Sequence, residues 1–197
     1  DERLGWTGDA QVFSSTAIYN YDVAAFFMKW LNDLKADQNV NGSVPVVIPK
    51  VRGGSESAGW GDAATIIPYM LYLKYGDKRF LENQYESMKA WVHFVKNLAG
   101  DDLIVDKGSH YGDWLFFIHP TRWDRKPGWT DKDLIATAFF AHSAVLCGNA
   151  AKVLGFDKGI HRLSGEAGKC LFVKSGGKQT AYYIVEEGVY ICDPRDP

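Results

Sequence analysis

Residues 63 to 98 read AATIIPYMLYLKYGDKRFLENQYESMKAWVHFVKNL. Apolar residues recur there at three- and four-residue intervals on both sides of a Gly-Asp step, which is the spacing of helices that bury one face. Gly76 can end the first helix in a left-handed cap, and Asp77 can cap the second. Pro68 either kinks the first helix or belongs to its first turn, and we expect that helix to be buried nearly all round. The stretch therefore predicts an antiparallel helix pair with a tight corner.

Two further helices are predicted on either side of this pair. Thr130 followed by Asp133 resembles a capping box, and the helix it opens is expected to run to about Leu154, where Gly155 stops it. The long uncharged run 134–151 lies in this helix, and its interrupting polar residues favour a buried core helix over a membrane span. The upstream helix is predicted by apolar residues at helical spacing, namely Val23, Phe27, Trp30, Leu31 and Leu34. The pattern thus indicates an all-α domain.

Composition excludes several classes of function. The chain has 197 residues, with 22 Lys+Arg against 24 Asp+Glu and a formal net charge of −2, so we expect no nucleic-acid partner and no membrane partner. Cys147, Cys170 and Cys192 are widely spaced without a CxxC pair, and we expect neither a disulfide nor a metal site. Residues 171–190 mix β-branched and aromatic residues around a Ser-Gly-Gly turn signal at 175–177. This tail fits neither a long helix nor a clean strand pair, and we interpret it as a turn plus one short helix or strand.

The aromatic residues suggest where the function lies. Aromatic residues make up 14% of the chain, and several Trp residues stand beside Gly and Asp rather than on helical stripes. The three clusters are DERLGWTGD at 1–9, GWGD at 59–62 and HYGDW at 110–114. Indole faces stack on the C–H faces of a pyranose while carboxylates bind its hydroxyls, so the clusters together predict one carbohydrate pocket.

Loops between the helices are expected to carry that pocket. They span residues 39–61, 100–113 and 120–129, and helices on either side would fix their ends. Trp123 and Trp129 in the third loop are left unassigned to core or pocket.

Each acidic candidate also has a purely structural explanation. Glu2 and Asp9 are the natural pair for acid catalysis and hydroxyl binding, but they also fit a solvated terminus with a helix cap at Asp9. Asp62 fits a pocket carboxylate and equally an N-cap of the helix that follows it. Both alternatives stay open on spacing alone.

Taken together, these motifs closely resemble the catalytic domain of the bacterial α-L-rhamnosidases of glycoside hydrolase family 78. The similarity covers about residues 1 to 160 in the family's order, and residues 165–197 form a divergent tail. The segments that carry it are Asp1 to Gln11, Lys29-Trp30-Leu31, Val44-Pro45, Gly59 to Ala63, Tyr75-Gly76-Asp77, Gly112-Asp113-Trp114, Ile135 to Ala138 and, further on, Gln179 to Tyr182.

The resemblance implies an incomplete (α/α)6 six-hairpin barrel, hydrolysis of terminal α-L-rhamnose from a rhamnosyl glycoside or polysaccharide with inversion, and no cofactor. Glu2 matches the family's general acid. The other matched positions are expected to contact rhamnose or support those contacts, and they are Trp6, Asp9, Trp60, Asp62, Asp113 and Trp114.

The family's general base is a Glu on a segment further along than this chain reaches, and Glu186 and Glu187 do not stand in a matching context. We therefore expect a partial catalytic domain that carries the acid half of the site, lacks the base and is inactive alone. Two alternatives remain. One is another six-hairpin glycosidase, such as an unsaturated glucuronyl hydrolase or a glucoamylase-like enzyme, and the other is a sugar-binding module without turnover.

Overall fold

The computed structural model describes residues 3–51, 56–115 and 130–156, together with the backbone of four short strands beyond them. The described part is mainly helical, as predicted. Its five helices are α1 (Thr7–Asn20), α2 (Ala24–Asp37), α3 (Ala63–Tyr75), α4 (Arg79–Ala99) and α5 (Lys132–Leu154).

Helix α3 is the centre of the helical core, because it packs against the other four helices. Its first six residues, 63–68, are all buried, and Pro68 lies in the helix interior rather than in the first turn. The second half opens toward solvent, and Leu73 is 59% exposed. The prediction that α3 is buried nearly all round is therefore wrong at Leu73 and Lys74, which face solvent, whereas Leu71 in the same part of the helix is fully buried.

The corner between α3 and α4 confirms the predicted tight turn. Gly76 has φ of +67°, the left-handed conformation that glycine adopts without strain. The Asp77 carboxylate accepts hydrogen bonds from the backbone N–H of Arg79 at 2.9 Å and from its guanidinium, and these bonds lower the pKa of Asp77. Helix α4 begins at Arg79, so Asp77 supports its start from two residues upstream.

Helix α5 begins one residue later than the capping-box pattern suggests. Its N-cap is Asp131, whose side chain accepts the N–H of Asp133 at 2.9 Å, so Thr130 is not the cap. Gly155 ends the helix with φ of +78°, as expected. By length and composition α5 could span a membrane, but most of its apolar stretch is buried inside the protein, where α5 packs on α3 and α4.

Helix α1 is not predicted by periodicity, because it has no apolar stripe. Its outward residues include Val12 and Phe13, which are 75% and 57% exposed, while its buried positions include Thr7, Gly8 and Ser14. Trp6 is the N-cap, and Asp9 lies in the first turn, where a carboxylate interacts favourably with the helix dipole. The alternative of a helix cap at Asp9 is therefore wrong, because the N-cap lies three residues earlier.

A short antiparallel pairing attaches the start of α1 to the segment before residue 49. Thr7 donates its N–H to the carbonyl of Val46 at 2.9 Å, and Ile48 donates to the carbonyl of Gly5 at 2.8 Å. Residues 43–48 are buried throughout. The first half of the 39–61 loop is thus structural support for α1, and only its second half reaches the site described below.

The strands beyond α5 form two antiparallel pairs, β1 (Ile160–Arg162) with β4 (Tyr190–Cys192) and β2 (Cys170–Ser175) with β3 (Lys178–Tyr183). The expectation that residues 171–190 contain no clean strand pair is wrong. Ser175 pairs with Lys178 across a Gly-Gly sequence, which is typical of two-residue hairpin connections.

Candidate functional site

One cleft of about 840 Å³ opens between α1, α2 and the loops that precede α3 and α5. Its position is set by the helices, while its walls come from separate parts of the chain. The lining residues are Gly5 and residues 8–13 from the first segment, Phe26, Phe27 and Trp30 from α2, Ala58, Gly59 and Trp60, then Gly112 and Trp114, and Ile135 and Phe139 from α5. The cleft therefore brings together Asp9, Trp60 and Trp114, one residue from each predicted cluster.

Trp60 forms one wall and is held from two sides. Its indole lies against Gly8 of α1, because a Cβ atom added at Gly8 would be 2.7 Å from Trp60 Cε2. Its ring also meets Tyr111 edge-on, with the ring centroids 4.6 Å apart. The absence of a side chain at Gly8 thus lets the indole reach the surface of α1.

We expect Gly8→Ala to destabilise the protein although alanine is the better helix former by about 1 kcal/mol. The new methyl group would overlap the indole, and overpacking of this kind costs about 1–3 kcal/mol. Thermal unfolding and near-UV circular dichroism of the protein check this, with Thr16→Ala on the exposed face of α1 as the control. A melting temperature equal to or above that of the wild type would contradict the close contact.

The turn that carries Trp60 needs both neighbouring glycines. Gly59 has φ of +81°, and a Cβ atom added at Gly61 would be 2.2 Å from Cη2 of Trp91. The amides of Trp60 and Gly61 both bond to the carbonyl of Ser57. The glycines thus shape the turn and leave room for Trp91 beneath it, while Trp60 itself is half-buried.

Asp62 lies under the cleft and is not among its lining residues. It is 1% exposed, and its carboxylate accepts hydrogen bonds from Gly59 N at 2.7 Å, Trp91 Nε1 at 2.9 Å and Ser143 Oγ at 2.5 Å. Burial raises the pKa of Asp62 and these three bonds oppose the rise. Asp62 occupies the N-cap position of α3, but its side chain makes no bond to the first turn of that helix, so the N-cap alternative holds for its backbone and not for its carboxylate.

The loop that carries Trp114 is bound to the Trp60 turn by side chains. Nδ1 of His110 accepts the N–H of Ala58 at 3.1 Å, and Nε2 lies 3.0 Å from the carbonyl of Lys107, which places the proton on Nε2 of a neutral ring. Ser57 Oγ accepts the N–H of Tyr111 at 3.1 Å. The Tyr111 ring centroid lies 5.1 Å from that of Trp114, so Tyr111 contacts both indoles.

The other predicted site residues have different positions. Trp6 is half-buried at the start of α1 and does not line the cleft, and the Asp113 carboxylate accepts the N–H of Thr130 at 3.2 Å. Glu2 lies outside the described residues, and so do Trp123 and Trp129 and the two acidic residues Glu186 and Glu187.

The cleft is mostly apolar. Asp9 is the one ionisable residue among the described residues that line it, and it is exposed to solvent. Such a lining can stack on the C–H face of a sugar and bind hydroxyl groups through one carboxylate. Within the described part of the chain it offers no second carboxylate for an acid and base pair.

Tyr111 and His110 are functional candidates that the sequence reasoning did not select. Both belong to the HYGDW cluster, and their neighbours Gly112 and Asp113 drew attention to the segment. Their contacts with residues 57–60 join positions more than 50 residues apart, which no local pattern reveals.

Comparison with known proteins agrees with this architecture. Residues 1–170 match the family model described as the bacterial α-L-rhamnosidase 6 hairpin glycosidase domain. The chain is 44% identical over 156 residues to an α-L-rhamnosidase of Formosa agariphila, covering 79% of this chain and 16% of that protein.

Two solved structures are similar in fold as well as in sequence. The crystal structure of Streptomyces avermitilis α-L-rhamnosidase complexed with L-rhamnose matches with a TM-score of 0.68 and 42% identity, over 78% of this chain and 14% of that one. Native α-L-rhamnosidase of Aspergillus terreus matches with a TM-score of 0.74 and 36% identity, over 80% and 18%. These matches confirm the predicted resemblance and the incomplete six-hairpin barrel, and the chain spans less than a fifth of the length of these proteins.

Proposed function

Because the chain belongs to the six-hairpin glycosidase domain family of the bacterial α-L-rhamnosidases, we propose that the full-length protein carrying it hydrolyses terminal α-L-rhamnosyl glycosides. The observation that carries this proposal is the cleft, where Asp9, Trp60 and Trp114 converge from three segments. Its size is sufficient for a monosaccharide and part of the group attached to it.

Trp60 and Trp114 bind the rhamnose ring in this proposal. Rhamnose carries a methyl group in place of a hydroxymethyl group, so one side of the sugar is more apolar than in most hexoses. Two indoles that both pack against Tyr111 match such a ligand, and Asp9 accepts hydrogen bonds from its hydroxyls. Trp6, Asp62 and Asp113 support these contacts from behind or beside the cleft.

Glu2 acts as the general acid. It protonates the glycosidic oxygen as the bond from that oxygen to the anomeric carbon breaks, while a water molecule attacks the opposite face and gives its proton to a carboxylate base. Inversion of this kind needs carboxyl groups about 6.5–9.5 Å apart. We place the base on residues outside this chain, because the family resemblance implies a Glu on a later segment. Among the described residues that line the cleft, Asp9 is the one ionisable group, and it is assigned to substrate binding.

Relative rates on two substrates test the substrate preference, and the anomer formed first tests the stereochemistry. The full-length product of the gene should hydrolyse an aryl α-L-rhamnoside at least about a hundredfold faster than the matching aryl glucoside, because the apolar cleft is built for a 6-deoxy sugar. Proton NMR should show β-L-rhamnose before mutarotation. A first product with the α configuration would contradict inversion, and a preference for the glucoside would favour another six-hairpin glycosidase.

A second candidate function applies to the 197-residue chain by itself, namely sugar binding without turnover. The observation that favours it is the single ionisable residue in the described lining. Calorimetric titration of this chain with L-rhamnose should give weak binding with a Kd of about 1 mM or higher, and its rhamnosidase activity should equal that of a buffer blank. Measurable turnover by the chain would show that it contains a base.

A further inference from the structure

We propose that Asp62 is a positioning residue of the cleft, which sets the place of the Trp60 indole by holding the backbone of Gly59 from below. The ligand named in the test, L-rhamnose, rests on the proposed function. The hydrogen bonds that carry the inference are independent of that ligand.

The carboxylate of Asp62 turns away from the helix that it precedes. An Asp at the start of a helix ordinarily accepts an N–H from the first turn. Asp62 makes no such bond, and its Oδ2 accepts the N–H of Gly59 at 2.7 Å, three residues back along the chain. Its side chain is thus directed at the Trp60 turn instead of at α3.

Two other helices fix the orientation of this carboxylate. Oδ1 accepts Trp91 Nε1 of α4 at 2.9 Å and Ser143 Oγ of α5 at 2.5 Å. Thr65 Oγ1 of α3 lies 2.7 Å from Ser143 Oγ and donates to the Asp62 carbonyl at 3.0 Å. Both carboxylate oxygens therefore accept hydrogen bonds. Through them the N–H of Gly59 is held in a fixed position relative to three packed helices.

The bond matters for Trp60 because Gly59 has no side chain to hold it. Gly59 immediately precedes Trp60 and has φ of +81°. Glycine adopts positive and negative φ about equally well, so this conformation is not fixed by the residue itself. The amides of Trp60 and Gly61 are bonded to Ser57, and the bond to Asp62 is the one that holds the N–H of Gly59. When it is lost, we expect the turn to relax and the indole to shift along Gly8.

A general structural role would not require an acidic side chain at this place. Asp62 is 1% exposed, and no cationic side chain forms an ion pair with it among the residues that the structure describes. Burying a carboxylate without a cation is costly, and burial raises the pKa of Asp62 accordingly. A neutral residue would pack here at lower cost unless both oxygens were needed as acceptors for Gly59 and Trp91.

The test is Asp62→Asn in the full-length protein. Asparagine has the same shape but one acceptor oxygen, so its NH2 group must face either the N–H of Gly59 or the N–H of Trp91. We expect KM for an aryl α-L-rhamnoside to rise about tenfold with kcat changed less than about threefold, because binding rather than proton transfer is disturbed. The amides of Gly59 and Trp60 should also exchange faster with deuterium in the absence of substrate.

A control variant separates positioning from loss of stability. Leu81→Ala weakens the buried core at the start of α4 and touches none of the bonds to Asp62. It should lower the melting temperature without raising KM or the exchange of residues 59 and 60. An unchanged KM in Asp62→Asn, or an equal rise in Leu81→Ala, would overturn the proposal. If the protein hydrolyses no rhamnoside, the proposed function fails, and the exchange comparison alone decides the role of Asp62.

Discussion

Replacing Glu2 by Gln is expected to slow hydrolysis of alkyl α-L-rhamnosides by the full-length protein about 10²- to 10⁴-fold, the usual contribution of a general acid. An alkoxide is a poor leaving group and needs a proton as the glycosidic bond breaks, which an amide cannot supply. Dinitrophenolate is a good leaving group that departs without protonation, so the hydrolysis rate of a dinitrophenyl rhamnoside should fall less than about tenfold. Comparing the two substrates in this one variant therefore tests whether Glu2 protonates the leaving group.

Affinity for L-rhamnose provides the internal check on this variant. Glutamine is similar in size to glutamate, and the Kd for L-rhamnose should change less than about threefold. Glu82→Gln, on the exposed start of α4, is the control and should behave like the wild type. Equal rate losses on alkyl and dinitrophenyl substrates would mean that Glu2 does not act as the acid.

The largest effect on stability is expected from Asp62→Ala, which removes the acceptor shared by Gly59, Trp91 and Ser143. Buried donors left without a partner cost about 1–3 kcal/mol each, and relief of the buried charge offsets part of that cost. The net loss should be about 2–4 kcal/mol, measured by calorimetry on the domain's own transition. Ser143→Ala should lose no more than about a third of this, and a loss in Asp62→Ala below about 1 kcal/mol would contradict the network.

The loss of stability in Asp62→Ala is expected to depend on pH. Burial raises the pKa of Asp62, so the folded protein binds this proton more tightly than the unfolded chain does. The contribution of this raised pKa to stability is therefore complete below the ordinary carboxyl pKa of about 3.9. It is lost as the pH rises through the pKa that Asp62 has in the folded protein. The stability difference between the wild type and Asp62→Ala should be widest at low pH, and a difference that grows toward neutral pH would contradict this.

Much of the fold could be predicted from the sequence where local signals are strong. Helices α2, α4 and α5 have apolar stripes or a clear stop, and Gly76 and Gly155 adopt the left-handed conformation expected of them. Helix α1 has no periodic signal because most of its inward positions are small or polar residues and several of its outward positions are apolar. The pairing of residues 5–7 with 46–48 depends on contacts about 40 residues apart, which periodicity does not record.

The sequence predicts that the Trp clusters share one pocket, but it does not predict which of their carboxylates face the cleft and which lie beneath it. Neighbouring Gly and Asp residues marked Trp60 and Trp114, and both line the cleft with Asp9. The same neighbours could not separate a carboxylate that faces the cleft from one that lies beneath it, as Asp62 does. That distinction depends on where α4 and α5 place Trp91 and Ser143, and hence on the packed structure.

The tight corner at Gly76 also bears on the order in which the molecule folds. Helices α3 and α4 are joined by three residues, so their packing closes a very short loop and is expected to form early. The cleft depends on contacts of much longer range, between residues 5–7 and 46–48 and between residues 57–58 and 110–111. During synthesis the helix pair can therefore form before the segment from 105 to 115 has emerged, and binding competence is acquired only in a late step.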